Sequence, residues 1–207
     1  MKDYFISHVL PFSWEHIVRA YWQKYPNTYS KHVISEDTLS KQISDSGSKL
    51  KVRRAMQKIG HVPTWAERFI SNGSKGFVIE DIVVNTKSKT MTIITQNLSF
   101  RNIMIVEERC EYKPVVDHSN PDVNSCIQET LCTKTAKIKA MVSHGIGFAL
   151  ERLGIGRYSK YSERATQGLL QAATRMYRMN EMQSRTYKGH CLNHACFICN
   201  AVIGKTN

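Results

Sequence analysis

The chain has no run of roughly 18 or more apolar residues, so no segment offers itself as a membrane-spanning helix. Its first residues, Met1-Lys2-Asp3-Tyr4-Phe5, have neither the apolar core of a secretory signal nor the Arg- and Ser-rich character of a mitochondrial presequence. Any organelle address would then rest on something other than a cleaved leader. There are 6 cysteines in 207 residues, in two loose groups, unlike the dense framework of a small secreted domain. Internal repeats and low-complexity tracts are absent.

Catalytic signatures are missing as well. Gly145-Ile146-Gly147 lacks the following glycine of a dinucleotide loop and does not follow a credible parallel strand. Ser, His and Asp occur, but no local signature gathers them. Glu107 and Glu108 are adjacent, so a strand points them to opposite faces and leaves structural ion pairing as their expected role. An enzyme is the poorer reading, and no cofactor is expected.

Acidic residues are the scarcest charge. Lys and Arg number 29 against 17 Asp and Glu, a net charge of +12 that implies an anionic partner: nucleic acid, acidic lipid headgroups or a membrane surface. A hydrophobic content of 42% is enough for a true core.

The periodicity divides the chain. A short strand is predicted over Tyr4 to Val9, then a helix from Ser13 to Lys24. In that helix Trp14, Ile17, Val18, Tyr21 and Trp22 form one apolar stripe, Ser13 caps it and Pro26 stops it. Strands follow over His32 to Ile43 and Lys49 to Ile59, joined by the hairpin signal Asp45-Ser46-Gly47-Ser48. A short weak helix is predicted at Pro63 to Ser71. Further strands are predicted at Gly76 to Val84, Thr90 to Asn97, Ile103 to Tyr112 and Cys126 to Ile138. The period then changes to that of helices: Ser143 to Leu153, a break at Gly154-Ile155-Gly156, and a longer helix from Ser162 to about Arg185. Strands in the middle with helices at the ends give an α+β fold, an antiparallel sheet covered on one face by helices.

Three local patterns carry chemistry. In Lys49 to Lys58, Arg54 and Lys58 share parity with Leu50, Val52 and Met56, so two cations face the apolar side. An inward ammonium needs an anion or water, and a bound phosphate would serve; a bulge returning Lys58 to solvent is the alternative. Second, Trp65 and Phe69 can present an aromatic face beside Arg68, as a membrane-facing segment would, or join the core as an ordinary surface helix does. Third, Cys191, His194, Cys196 and Cys199 supply enough ligands for a tetrahedral zinc site, but in one tight cluster without a second knuckle. An unstructured tail over residues 187–207 is the expectation there. Cys110, Cys126 and Cys132 lie in strand-like segments and read as buried free thiols.

Four blocks resemble, in order, the PRELI domain of mitochondrial intermembrane-space phospholipid-transfer proteins. They are Pro11 to Asp37, Pro63 to Phe69, Met91 to Phe100, and Met104 to Tyr112, and the resemblance covers roughly the first 170 residues. It implies a lipid-transfer domain over residues 1–186: a curved antiparallel sheet of about seven strands, covered by helices, with a long C-terminal helix enclosing an apolar lipid tunnel. It implies headgroup binding by Lys24, His32, Arg54, Lys58, Arg157, Tyr161 and Arg164. Lys24 stands where relatives usually carry arginine, and Tyr161 where many carry asparagine. Pro63, Trp65, Arg68 and Phe69 match a mobile lid over the lipid entrance. The implied ligand is phosphatidic acid, with phosphatidylserine as the alternative. Transient binding to acidic membranes and a small twin-C-x9-C helical-hairpin protein complete the implied partners. A basic nucleic-acid-binding module with a zinc-assisted tail is the competing class. It explains the charge but not the inward cations or the ordered matches.

Overall fold

The chain's alternating segments assemble into one sheet. The computed structural model describes residues 1–44, 47–59, 75–115, 129–142 and 144–193. Chain order is β1 (Lys2–Leu10), α1 (Trp14–Tyr21), β2 (Val33–Ile43), β3 (Lys49–Ile59), β4 (Lys75–Asn85), β5 (Thr90–Asn97), β6 (Met104–Pro114), β7 (Thr130–Ala140) and α2 (His144–Asn193). The strands form a 7-stranded sheet in the order β1-β7-β6-β5-β4-β3-β2. Every neighbouring pair is antiparallel. The α+β reading therefore stands, with the sheet's two edges belonging to the first two strands. Of the described helices, none is long and apolar enough to cross a membrane.

Register aligns the inward residues in rows across the strands. Leu50, Val84, Met91, Tyr112, Cys132 and His8 make one row. Val52, Ile82, Ile93, Cys110, Lys134 and Ile6 make the next. The third is polar: Arg54, Glu80, Thr95, Glu108, Ala136 and Tyr4. The first two rows supply much of the core, against which α1 places Trp14, Ile17, Ala20 and Tyr21. Cys110 and Cys132 are buried free thiols with Sγ atoms 3.7 Å apart; Cys126 lies outside the described residues.

Helix α1 begins as its sequence dictates, the Ser13 hydroxyl accepting from His16 N at 3.2 Å. It ends at Tyr21, before the expected Lys24, because Gln23 and Lys24 turn back onto Ala20 O and Tyr21 O. Helix α2 corrects a larger expectation. It runs unbroken for 50 residues through Gly154 and Gly156, where a break between two helices was expected. Packing outweighs the local preference of glycine. A methyl group on Gly154 would sit 3.1 Å from Ile138 Cγ2 and 3.1 Å from Met104 Sδ, so the small residue lets the helix lie close on the sheet. Further along, Leu169, Ala172 and Ala173 are buried against α1, and His16 Nε2 meets Ala173 O at 2.8 Å.

Candidate functional site

Between the polar row of the sheet and α2 lies a cavity of about 360 Å³. Such a volume is at the small end for ligand pockets. Its wall includes His32 beside β2, Lys58 of β3, Thr95 of β5, Glu108 of β6, and Arg157 and Tyr161 of α2. A smaller space of about 60 Å³ continues inward, lined by Lys24, Glu80, Cys110 and Lys134 among others. Tyr25, Lys58, Thr95, Glu108 and Ala165 line both.

The chain holds Lys24 at the inner end through the turn that follows α1. Asn27 Nδ2 donates to Lys24 O at 2.8 Å and Asn27 Oδ1 accepts from Tyr29 N at 2.9 Å. The Lys24 ammonium is buried over the rings of Tyr21 and Tyr25, 5.5 and 5.2 Å from their centroids, and forms no ion pair among the described residues. Burial lowers its pKa, and the charges of Glu80 and Glu108 oppose that. His32, its ring 5.0 Å from that of Tyr161, is driven down to about 4 by burial first and then by Lys58, Lys24 and Arg164. It is neutral at pH 7.

Arg54 shares the predicted inward parity but lines neither cavity. Its guanidinium donates to Glu80 Oε2 at 2.8 Å and to Glu36 Oε2 at 2.7 Å, so its charge is already balanced. Tyr21 adds a hydrogen bond to Glu80 at 3.0 Å. Burial pushes the Glu80 carboxyl up, but Arg54, Lys58 and Lys24 outweigh it and hold the group below its ordinary range. Arg164 is exposed and lines neither cavity, acting on His32 at longer range. Lys24, His32, Lys58, Arg157 and Tyr161 are thus brought together, and Arg54 and Arg164 stand outside them.

Several wall residues were not singled out from sequence. Lys134 is 3% exposed and donates to Ser162 O and Thr166 Oγ1, both at 2.8 Å, tying β7 to α2. Its parity with Cys132, Ala136 and Ile138 was the available signal. Glu108, expected in a structural ion pair, faces the cavity and forms no ion pair among the described residues, whereas Glu107 on the outer face accepts from Gln96 at 2.7 Å. The hydroxyls of Tyr158 and Ser162 are buried in the same wall, without a hydrogen bond of good geometry among the described residues. Burial first, and the Glu108 charge second, push the Tyr158 pKa up.

The lid residues Pro63, Trp65, Arg68 and Phe69 lie outside the described residues, as do His194, Cys196 and Cys199 and the Cys191 side chain. A separate, outward-facing groove of about 850 Å³ runs between the Pro26–Lys31 loop and α2, lined by Arg175, Arg178, Met179 and Met182 among others.

A family model described as the PRELI-like family matches residues 15–177, which takes in the cavity wall from Lys24 to Ala165. The chain belongs to the PRELI-like family. Among its PRELI-like relatives, "PRELI domain-containing protein 1, mitochondrial" of Gallus gallus is 33% identical over 183 residues, 86% of this chain and 78% of that protein. "Protein UPS1, mitochondrial" of Saccharomyces cerevisiae is 29% identical over 163 residues, 79% of this chain and 87% of that protein. Among solved structures, TTHA0849 from Thermus thermophilus superposes with a TM-score of 0.54 at 12% identity, covering 84% of this chain and 99% of that one. The Zhui aromatase/cyclase from Streptomyces sp. R1128 gives 0.51 at 9% identity, covering 84% and 94%. These two share the fold with the PRELI-like chain.

Proposed function

We propose that this protein extracts a phospholipid with an anionic headgroup, phosphatidic acid first, and carries it between the outer and inner mitochondrial membranes through the intermembrane space. The observation that carries the reading is the cavity with Lys58 in its wall and Lys24 at its inner end, neither in an ion pair among the described residues. A buried ammonium without an anion is costly, and a phosphate entering from the mouth would supply one. The mitochondrial names of the relatives support the organelle. Acyl chains leaving a bilayer for an apolar protein interior lose little, because both surroundings are dry. Specificity then rests on the headgroup, where each charge-assisted hydrogen bond contributes about 1.5–3 kcal/mol. Catalysis forms no part of this reading. A twin-C-x9-C helical-hairpin protein is the proposed partner after import. A nucleic-acid strand is too bulky to reach Lys24 through a cavity of about 360 Å³, which disfavours the nucleic-acid reading.

Transfer between liposomes differing only in headgroup tests the proposal, with the hairpin partner added if solubility requires it. Phosphatidic acid should move faster than phosphatidylcholine, and equal rates would sink the headgroup site. Lys58→Glu sets an anion against the phosphate. Removing one charge-assisted contact alone corresponds to roughly a ten- to hundredfold loss of transfer. Wild-type transfer by a folded Lys58→Glu protein would remove Lys58 from the site.

A further inference from the structure

The cavity contains a group that a simple anion site would avoid. Glu108 lies in the wall of both the outer and the inner space, in the same cross-strand row as Glu80, with Thr95 between them. The two carboxylates differ in their partners. Glu80 is held by Arg54 and Tyr21, while Glu108 forms no ion pair among the described residues and stands opposite the Tyr158 and Ser162 hydroxyls of α2. Ser162 is only 4% exposed, and its hydroxyl lies beside that of Tyr158, with no hydrogen bond of good geometry among the described residues. A lysine-lined cavity thus offers a carboxylate acceptor on one wall, faced by the Tyr158 and Ser162 hydroxyls of the helix.

That combination fits an oxyacid that still carries a proton. A dianionic phosphate meeting Glu108 would be repelled. A phosphomonoester monoanion presents a P–OH that can donate to the carboxylate while its remaining oxygens accept from lysine ammonium groups. A phosphomonoester has such a proton to give near neutral pH, its second pKa being about 6 in a phosphorylated side chain, whereas a phosphodiester has none. We propose that Glu108 determines headgroup specificity by accepting a hydrogen bond from the P–OH of a phosphomonoester, with Lys58 and Lys24 holding its other oxygens. The inference rests on the phospholipid reading above and adds the means by which monoester is told from diester. Such a donor-for-acceptor test is sharper than charge alone, because a site built around an acceptor rejects a ligand that lacks the donor.

The probe pair is phosphatidic acid and its methyl ester, with identical acyl chains, each at the same fraction in donor vesicles. One charge-assisted hydrogen bond corresponds to roughly tenfold, so wild-type protein should transfer the acid about tenfold faster than the ester. In Glu108→Gln, whose amide can donate to an esterified phosphate, that ratio should collapse toward one. Equal wild-type rates for acid and ester, both above phosphatidylcholine, would overturn the Glu108 assignment and leave the phospholipid reading in place. An unchanged ratio in folded Glu108→Gln would overturn it equally. A preference for phosphatidylserine or phosphatidylethanolamine that depends on Glu108 would mean that the carboxylate reads an ammonium, again overturning the proposal. Transfer of no phospholipid at all would end both readings. Should Glu108→Gln not fold, Glu108→Asp withdraws the carboxylate by one methylene and should lower the ratio, and the wild-type comparison still decides.

Discussion

An ammonium taken out of water costs several kcal/mol unless its surroundings compensate, and Lys24 is given only aromatic faces and two carboxylates at a distance. An arginine there would present a planar fork in place of a point charge, so Lys24→Arg should hold a phosphate at least as well. His32 responds to the same field. Folded, its pKa is about 4 against an ordinary 6.5, through burial and then the nearby cations Lys58, Lys24 and Arg164. The unfolded chain therefore takes up the proton first as pH falls. Stability contributed by neutral His32 is complete above about 6.5 and is lost as pH drops toward about 4. A phosphate between the same cations would reverse their repulsion. Imidazole titration by NMR should thus show His32 near its low value in the empty protein and shifted upward once lipid is loaded. An empty-state value at 6.5 would contradict the burial, and no upward shift on loading would place the phosphate elsewhere.

At the scale of elements, glycine in α2 divides into two kinds. A methyl on Gly168 would fall 2.8 Å from Asn27 Oδ1 and 2.9 Å from Asn27 Cγ, the side chain that organises the Lys24 turn. Gly168→Ala must displace Asn27 and break its hydrogen bonds, each worth about 1 kcal/mol, against a helix-propensity gain of about 1 kcal/mol. Gly156 has nothing within 4 Å of an added methyl. Gly156→Ala should therefore stabilise by about 1 kcal/mol in urea unfolding. Gly168→Ala should destabilise by about 1 kcal/mol and weaken headgroup binding as well. Equal effects from both changes would mean that Asn27 yields freely. The same pair explains how far the sequence was legible. Parity in β3 placed Lys58 inward with Val52 and Met56, because a strand's period is rigid. The expected break at Gly154 failed because its reason for being glycine is Ile138 and Met104, residues far away in sequence. Glu108 eluded the reading for a like cause. Parity told only that it faces away from Glu107, and its lack of an ion pair among the described residues is decided by register with Thr95 and Ala136 and by where α2 passes. Arg54 had the correct parity too, but Glu36 and Glu80 reach it from neighbouring strands on either side.

For the whole molecule, the excess of +12 and the cavity cations are two electrostatic regimes, and salt separates them. Exposed basic residues act on a membrane through solvent, where the Debye length falls from about 10 Å at 0.1 M to about 3 Å at 1 M. Docking on acidic vesicles should weaken steeply over that range. Lys24 lies beneath the surface with 7% of its area exposed, and a phosphate beside it is shielded from mobile ions. Lipid already in the cavity should therefore remain bound at salt concentrations that release the protein from vesicles. Sedimentation with vesicles containing acidic lipid, followed by extraction and mass spectrometry of the protein in the supernatant, reads both quantities on one sample. The expected outcome at about 1 M salt is free protein that retains its phospholipid. Loss of lipid in parallel with loss of docking would place the headgroup at the screened surface. Docking that ignores salt would assign membrane attachment to apolar contact, leaving the net charge without a part in it.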